Sequence, residues 1–416
     1  MTLISQMKQA TSEHNDREVP RPYSSILADT EVIPESVLNI DQRDRTSIFS
    51  WKGQFSPQFV EAMLSTFTTP GDMIYDPFAG SGTVLTESAR KKLPCIGVEL
   101  NPAAYYMTWV NHICNKTMQE RHELIKVASS QIITFHEKAN NGDLSTWIAS
   151  LEAKNLQGIF SLLAIICDLY KNAPTIELID SKWQHLKTLI CQLPFSQANV
   201  TTFNCDSRKV DIESDVVDCV LTSPPYINVI NYHQQYRRSV ESLGFDVLNI
   251  AQNEFGANRK HRGNRFYTVV QYVIDMAISI KETLRICKNG SRLIYVVGKE
   301  STVLGYKFCN SELIYRIFTE IFHQPFLMKQ QRCFTNRYGK KIFEDILHFQ
   351  CSKRDFNCSY ENIVAMARVI ARDALRDASL QDIPDEKKNK NLPLLLEAIS
   401  KSEQIEASTN KRKARK

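Results

Sequence analysis

The string TSPPY, residues 222–226, directly follows the apolar run VVDCVL. Adjacent prolines each lack a backbone N–H and fix φ, so a strand must end there in a rigid kink that carries a serine and a tyrosine. A second stretch, DPFAGSGT (Asp76–Thr83), stands between a short apolar strand pattern and a helical one. Its glycines, Gly80 and Gly82, allow backbone to come close to a ligand. In open α/β sheets ligands bind beyond the carboxyl ends of the strands, which is where this turn falls. The phosphate-binding pattern G-x-x-x-x-G-K-[ST] is absent, and the dinucleotide fingerprint lacks its third glycine. Taken alone, the turn also fits an ordinary tight connection. Two further acids add to it. Glu99 ends the next strand, where a carboxylate can accept from both ribose hydroxyls, and Asp206 ends TFNCD, where it can accept from an adenine amine. Three acids at successive strand ends beside a glycine turn read as a nucleoside site.

The elements that must position these residues are visible as periodic patterns. Ser56-Pro57 opens a helix, serine as N-cap and proline at the first helical position. Strand Met73–Tyr75, the turn, a helix over about 82–91 and strand Cys95–Val98 form a compact β–α–β unit, which implies a parallel sheet. The pattern resumes at VTTFNCD and VVDCVL. A helix over 267–286 stops at Cys287-Lys-Asn-Gly290, and strand SRLIYVVG and a helix over 311–321 follow. FLMKQQRCF and FEDILHFQ, separated by TNRYGKKI, predict an antiparallel pair closing the sheet. The expected fold is therefore α/β, a doubly wound, mostly parallel, Rossmann-like sheet with an antiparallel closing strand. Residues 46–110 and 200–352 form its discontinuous core domain. Residues 111–199 carry helix-length apolar patterns and read as a helical insertion, with Leu162, Leu163, Ile166, Leu169 and Tyr170, then Trp183, Leu186, Leu189 and Ile190, as core. Residues 1–45 read as an arm lying on the surface or partly disordered, and 353–416 as a helical segment with a basic tail.

The chain has 416 residues, 43% hydrophobic and 23% charged, an ordinary globular composition. The five charges of the terminal KRKARK account for the whole net charge of +5, so a basic tail, suited to a polyanion or simply solvated, follows a neutral body. No apolar run reaches the roughly 18 residues of a membrane span, and the N-terminus has no secretory pattern. A cytosolic protein with reduced thiols is expected. The eleven cysteines form no C-x-x-C pair, so no metal site is expected.

DPFAGSGT, GVELNP and TSPPY in one chain resemble the DNA amino-methyltransferases, which use S-adenosylmethionine. The likeness covers roughly 46–105 and 200–350. It implies that Asp76, Pro77, Phe78, Ala79, Gly80, Gly82 and Thr83 hold the methionine part of the cofactor, with Phe55 in the upstream cofactor-contacting motif. It further implies that Glu99 binds ribose, that Asp206 binds adenine, and that Ser223, Pro224, Pro225 and Tyr226 form the catalytic loop. SPPY resembles the cytosine-N4 branch, though some adenine-N6 members carry it. Cofactor turn before catalytic loop excludes the permuted branch, and the helical insertion departs from the family pattern. The implied activity is methylation of cytosine N4 in duplex DNA within a restriction–modification system, with a cognate endonuclease as partner. Adenine-N6 methylation, methylation of an RNA base, and a silent nucleic-acid-binding module are the alternatives.

The loop suits that chemistry. An exocyclic amine delocalises its lone pair into the ring and must be pyramidalised to attack a sulfonium methyl. Fixed acceptors for its N–H groups, here the Ser223 hydroxyl and the Pro224 carbonyl, favour that geometry. Tyr226 offers an aromatic face to an extruded base, a contact worth roughly 1–3 kcal/mol. Cytosine-C5 chemistry needs a Pro-Cys loop, and Pro94-Cys95 instead leads into a strand. After the loop, Tyr232, Arg237 and Arg238, then Arg259, Lys260, Arg262 and Arg265, interleave aromatic and basic residues and are expected to contact nucleic acid, with Asn228 and Asn231 ordering the loop.

Overall fold

The computed structural model describes residues 20–40, 45–168, 174–227, 231–256, 261, 263–335, 339, 341–353 and 358–408. The strands run in chain order β1 (Ile74–Asp76), β2 (Cys95–Val98), β3 (Val200–Phe203), β4 (Val217–Thr222), β5 (Cys287–Gly298), β6 (Glu300–Val303), β7 (Tyr306–Cys309), β8 (Phe326–Thr335) and β9 (Lys341–Gln350). Seven of them form one sheet in the order β3–β2–β1–β4–β5–β9–β8. The first five are parallel, and β9 runs antiparallel between β5 and β8. This is the doubly wound α/β sheet with an antiparallel closing pair. The chain reverses its direction of travel across the sheet between β1 and β4, so the tips of these neighbouring strands flank the crevice where such folds bind ligands.

The strand period of two builds two cores from one sheet. Ile74, Cys219, Leu221, Ile294 and Val296 point to one face, against helices Pro57–Phe67 and Thr83–Arg90. Tyr75, Val220, Leu293, Tyr295 and Val297 point to the other, against helices Tyr267–Ile286 and Tyr360–Ser379. With both faces covered, the central strands read as continuous apolar runs rather than alternating ones.

Between β2 and β3 lie helices Pro102–Trp109, Met118–Ser129, Ile132–Asn141, Leu144–Ser150, Lys154–Ile166 and Ile176–Gln192. Leu162, Leu163, Trp183, Leu186 and Ile190 are buried there; Leu169 and Tyr170 lie outside the described residues. Arg121, also buried, donates to the carbonyls of Ile190, Leu193 and Pro194, groups that the end of the last helix leaves without helical partners.

Three details differ from those expectations or add to them. Strand β5 begins at Cys287 rather than after Gly290, because Cys287 already pairs with Val217. A β6–β7 hairpin appears that the sequence reading lacked; its turn residues, Leu304 and Gly305, both take positive φ, and leucine is a poor signal for that conformation. Residues 20–40, within the segment read as an arm on the surface or partly disordered, pack against the body of the protein. Tyr23, Ile33 and Leu38 are buried, Asp29 N–H donates to Lys329 carbonyl (2.6 Å), and Asn39 accepts from Cys333 N–H (2.6 Å). The segment thus covers β8, the edge of the sheet.

Candidate active site

The glycine turn is shaped by what surrounds it. Gly80 (φ 53°) has the Trp51 indole 3.3 Å from where its Cβ would stand. Gly82 (φ 85°) would place a Cβ 2.9 Å from Thr108 Cα and 2.8 Å from Asn111 Nδ2. Both positions need left-handed backbone and no side chain. Thr108 donates to the Gly80 carbonyl (2.7 Å), Ala79 N–H reaches the Val98 carbonyl (2.9 Å), and Ser81 donates to Gln54 (2.7 Å). The turn is therefore held from helix Pro102–Trp109, from β2 and from the upstream KGQF segment.

The acids at the strand tips are tied into the same structure. Asp76 accepts from Thr222 Oγ1 (2.6 Å) and from Phe78 N–H (3.1 Å), joining the end of β1 to the end of β4. Glu99 accepts from Gly80 N–H (2.9 Å) and Asn101 N–H (2.8 Å). Burial pushes both carboxyls up to about 7, against the pull of these hydrogen bonds. Asp206 is gripped by Arg208, whose Nε lies 2.9 Å from Oδ1. Arg208 also pairs with buried Asp275 (2.7 Å), donates to the Asn253 carbonyl (3.2 Å) and lies 4.9 Å above the Phe255 ring. Asp275 in turn accepts from Ser408 N–H (2.8 Å) and Oγ (2.6 Å), near the chain's end.

One cleft gathers these groups. Phe55, Asp76, Pro77, Phe78, Ala79, Gly80, Thr83, Glu99 and Asp206 line it on the expected cofactor side, and Ser223 and Pro225 line it on the loop side. Gly82 stands behind the turn, against Thr108 and Asn111. Pro224 is buried, and Tyr226 sits beside the cleft with its ring against Gly298. Sequence reasoning missed Trp51, Gln54, Asn101, Arg208, Glu254 and Phe255. Trp51 had a signal, since WKGQF adjoins Phe55; the others are brought in only by folding. Among the lining residues, four carboxylates (Asp76, Glu99, Asp206, Glu254) face one lysine, Lys52, with Phe55, Phe78, Phe255, Trp51 and Tyr232 as aromatic walls. Such a wall fits a cationic ligand carrying hydroxyls and an aromatic base.

Of the expected nucleic-acid set, the described residues are Tyr232, Arg237, Arg238 and Arg265. Tyr232 is in the cleft wall, its ring stacked on Trp51 (6.0 Å between centroids), and Tyr236 stacks on the same indole (6.4 Å). The apolar faces of these rings are better satisfied against one another than in solvent. Arg237 pairs with Glu241 (2.8 Å), one turn away on its own helix. Arg238 is exposed and Arg265 half-buried. Asn228, Arg259, Lys260 and Arg262 lie outside the described residues. Among the described residues, no cluster of side chains suits a metal ion and no helix is long and apolar enough to cross a membrane.

The chain is similar to known methyltransferases. The DNA methylase family model matches residues 5–109. The type II methyltransferase M.MjaII of Methanocaldococcus jannaschii is 37% identical, over 73% of this chain and 81% of that protein. M.AvaI of Nostoc sp., another type II methyltransferase, is 21% identical over 49% of this chain and 55% of its own length. A SAM-dependent methyltransferase from Methanosarcina mazei superposes with a TM-score of 0.33 at 11% identity, over 70% of this chain and 97% of that one. With the glycine turn and the SPPY turn at neighbouring strand tips, and with M.MjaII matched over four-fifths of its length, this chain belongs to the N4/N6 DNA methylases, which transfer a methyl group from S-adenosylmethionine to DNA.

Proposed function

We propose that the chain methylates N4 of a cytosine turned out of duplex DNA at a short recognition sequence, as the modification enzyme of a restriction–modification system with a cognate endonuclease. The observation that carries this reading is that the serine-bearing SPPY turn and the Gly80 turn open into one cleft. S-adenosylmethionine, when bound, supplies an electrophilic methyl group on a sulfonium sulfur. The carboxylates of Asp76, Glu99, Asp206 and Glu254 stabilise that positive charge, Glu99 accepts from ribose hydroxyls, and Asp206, fixed by Arg208, accepts from adenine. Pro77, Phe78, Ala79, Gly80 and Thr83 shape the methionine end, Gly82 allows the turn to close, and Phe55 packs against the cofactor. Ser223 Oγ and the Pro224 carbonyl accept the two N–H bonds of the target amine and turn its lone pair out of the ring. Pro225 keeps the loop rigid, and Tyr226 stacks on the base. Arg238 and Arg265, with Arg259, Lys260 and Arg262, contact phosphates.

Nucleoside mass spectrometry of genomic DNA from cells expressing the protein tests this. N4-methylcytosine is expected. N6-methyladenine instead reassigns the target base, and the absence of both products overturns a DNA target.

A further inference from the structure

Ser223 and Tyr226 share one turn, and their hydroxyl oxygens lie 3.2 Å apart. Tyr226 Oη also lies 3.1 Å from Oε1 of Glu344, on β9. Glu344 is buried, and its other oxygen receives the buried Arg332 guanidinium, Nε at 2.6 Å. Arg332 lies 4.0 Å above the Phe59 ring, which fixes it from helix Pro57–Phe67. The Tyr226 ring rests on Gly298, the cross-strand partner of Glu344, where a Cβ would come within 2.7 Å of the ring. Groups from β5, β8 and β9 therefore seat a single phenol.

The direction of these bonds follows from the hydrogens available. Glu344, paired with Arg332, is a carboxylate and only accepts. Tyr226 has one O–H hydrogen, so it donates to Glu344 and its oxygen is left to accept from Ser223. Ser223 has one hydrogen too, and that hydrogen then points at Tyr226, leaving lone pairs for the substrate. A serine hydroxyl without such a partner rotates and offers donor or acceptor alike. Donation toward the target amine would engage the lone pair that must attack the methyl group. The hydroxyl contacts, 3.2 and 3.1 Å, are longer than the usual O–H···O distance, as is common before substrate fills a site.

We propose that the Arg332–Glu344–Tyr226 chain fixes the hydrogen-bond polarity of Ser223, so that it meets the target amine only as an acceptor. Glu344 and Arg332 are then positioning residues for methyl transfer. This rests on the reading of Ser223 as an acceptor given above.

The test is the single-turnover rate of methyl transfer to duplex DNA in Tyr226→Phe, Glu344→Gln and Ser223→Ala, with cofactor affinity and melting temperature measured beside it. Phenylalanine keeps the ring and loses only the hydroxyl, and glutamine can donate to Tyr226 and so reverse the chain. Each of these two substitutions is expected to slow transfer about tenfold, the scale of one hydrogen bond, with cofactor affinity within about twofold of wild type. The Tyr226→Phe/Glu344→Gln double variant is expected to be no slower than Tyr226→Phe, and neither change should slow Ser223→Ala further. Multiplying effects in the double variant, or undiminished effects in the Ser223→Ala background, overturn the chain in favour of simple packing. A wild-type rate in Tyr226→Phe also overturns it, even if Glu344→Gln fails to fold with Arg332 unpaired. Loss in Ser223→Ala with no loss in the other two rejects the chain alone, whereas a wild-type rate in Ser223→Ala rejects the acceptor reading itself.

Discussion

The tips of strands β1 to β4 and the helical insertion between β2 and β3 are built on opposite principles. At the tips nearly every polar group is fixed by another: Asp76 by Thr222, Glu99 by Gly80 and Asn101, Asp206 by Arg208. In the insertion the organising contacts are apolar, with Phe135 stacked on Phe160 (5.6 Å) and Trp147 edge-on to Phe160 (4.9 Å). Burying carboxylates costs stability unless they are paired, whereas burying apolar rings is the main source of it. The protein thus concentrates buried carboxylates at the cleft and draws stability from elsewhere, including a helical layer that contributes no lining residue to the cleft beyond Asn101, which caps its first helix.

Substitutions ranked by their effect on cofactor affinity sharpen that contrast. Gly82→Ala heads the order. A methyl group there meets backbone at 2.9 Å in a left-handed conformation, and calorimetry should show affinity for S-adenosylmethionine lower by about 100-fold, roughly 3 kcal/mol. Glu99→Gln comes next, with about tenfold weaker binding. It also changes the pH dependence. Burial raises the Glu99 carboxyl to about 7, above its unfolded value, so the stability it contributes to the free protein is fully present below the unfolded pKa and is lost as pH rises through about 7. The cofactor's positive charge favours the ionised form, so affinity should rise across that same interval, and less so in the glutamine variant. A flat profile in wild type would contradict this.

Ser408→Ala follows. It removes a donor from Asp275, the partner of Arg208, and binding about threefold weaker is expected from isothermal titration. Trp183→Ala should not affect cofactor affinity at all. It opens a cavity in the insertion and removes the bond to Ser129 (3.1 Å), so chemical denaturation should show a loss of about 3–5 kcal/mol. If Trp183→Ala instead weakens cofactor binding more than Ser408→Ala does, the two regions are not separate in the way their contacts imply.

Legibility divides along similar lines. The glycine turn, the proline-stiffened loop and Glu99 were readable because each needs its residue type for a local backbone reason or sits at the end of a recognisable strand. The parallel sheet was readable from its β–α–β spacing. What escaped depends on contacts distant in sequence. Arg208 looks like one basic residue among many until β3 and helix Tyr267–Ile286 place it between Asp206 and Asp275. Glu344 reads as an ordinary outward residue of a closing strand until the Tyr226 hydroxyl meets it 118 residues away. That residues 20–40 cover a sheet edge escapes the sequence, because single buried residues such as Tyr23 and Leu38 make no period. The stacking of Tyr232 on Trp51 also escapes the sequence, because the two rings are far apart along the chain and only folding brings them together.

The central claim is that cofactor and target amine meet in the cleft between β1 and β4. Its most direct test is transfer of a labelled methyl group from S-adenosylmethionine to a duplex DNA library by the purified chain, with the labelled nucleoside identified after digestion. The account predicts label on an exocyclic amine, as N4-methylcytosine. Tight cofactor binding with no label on any base amine would contradict it.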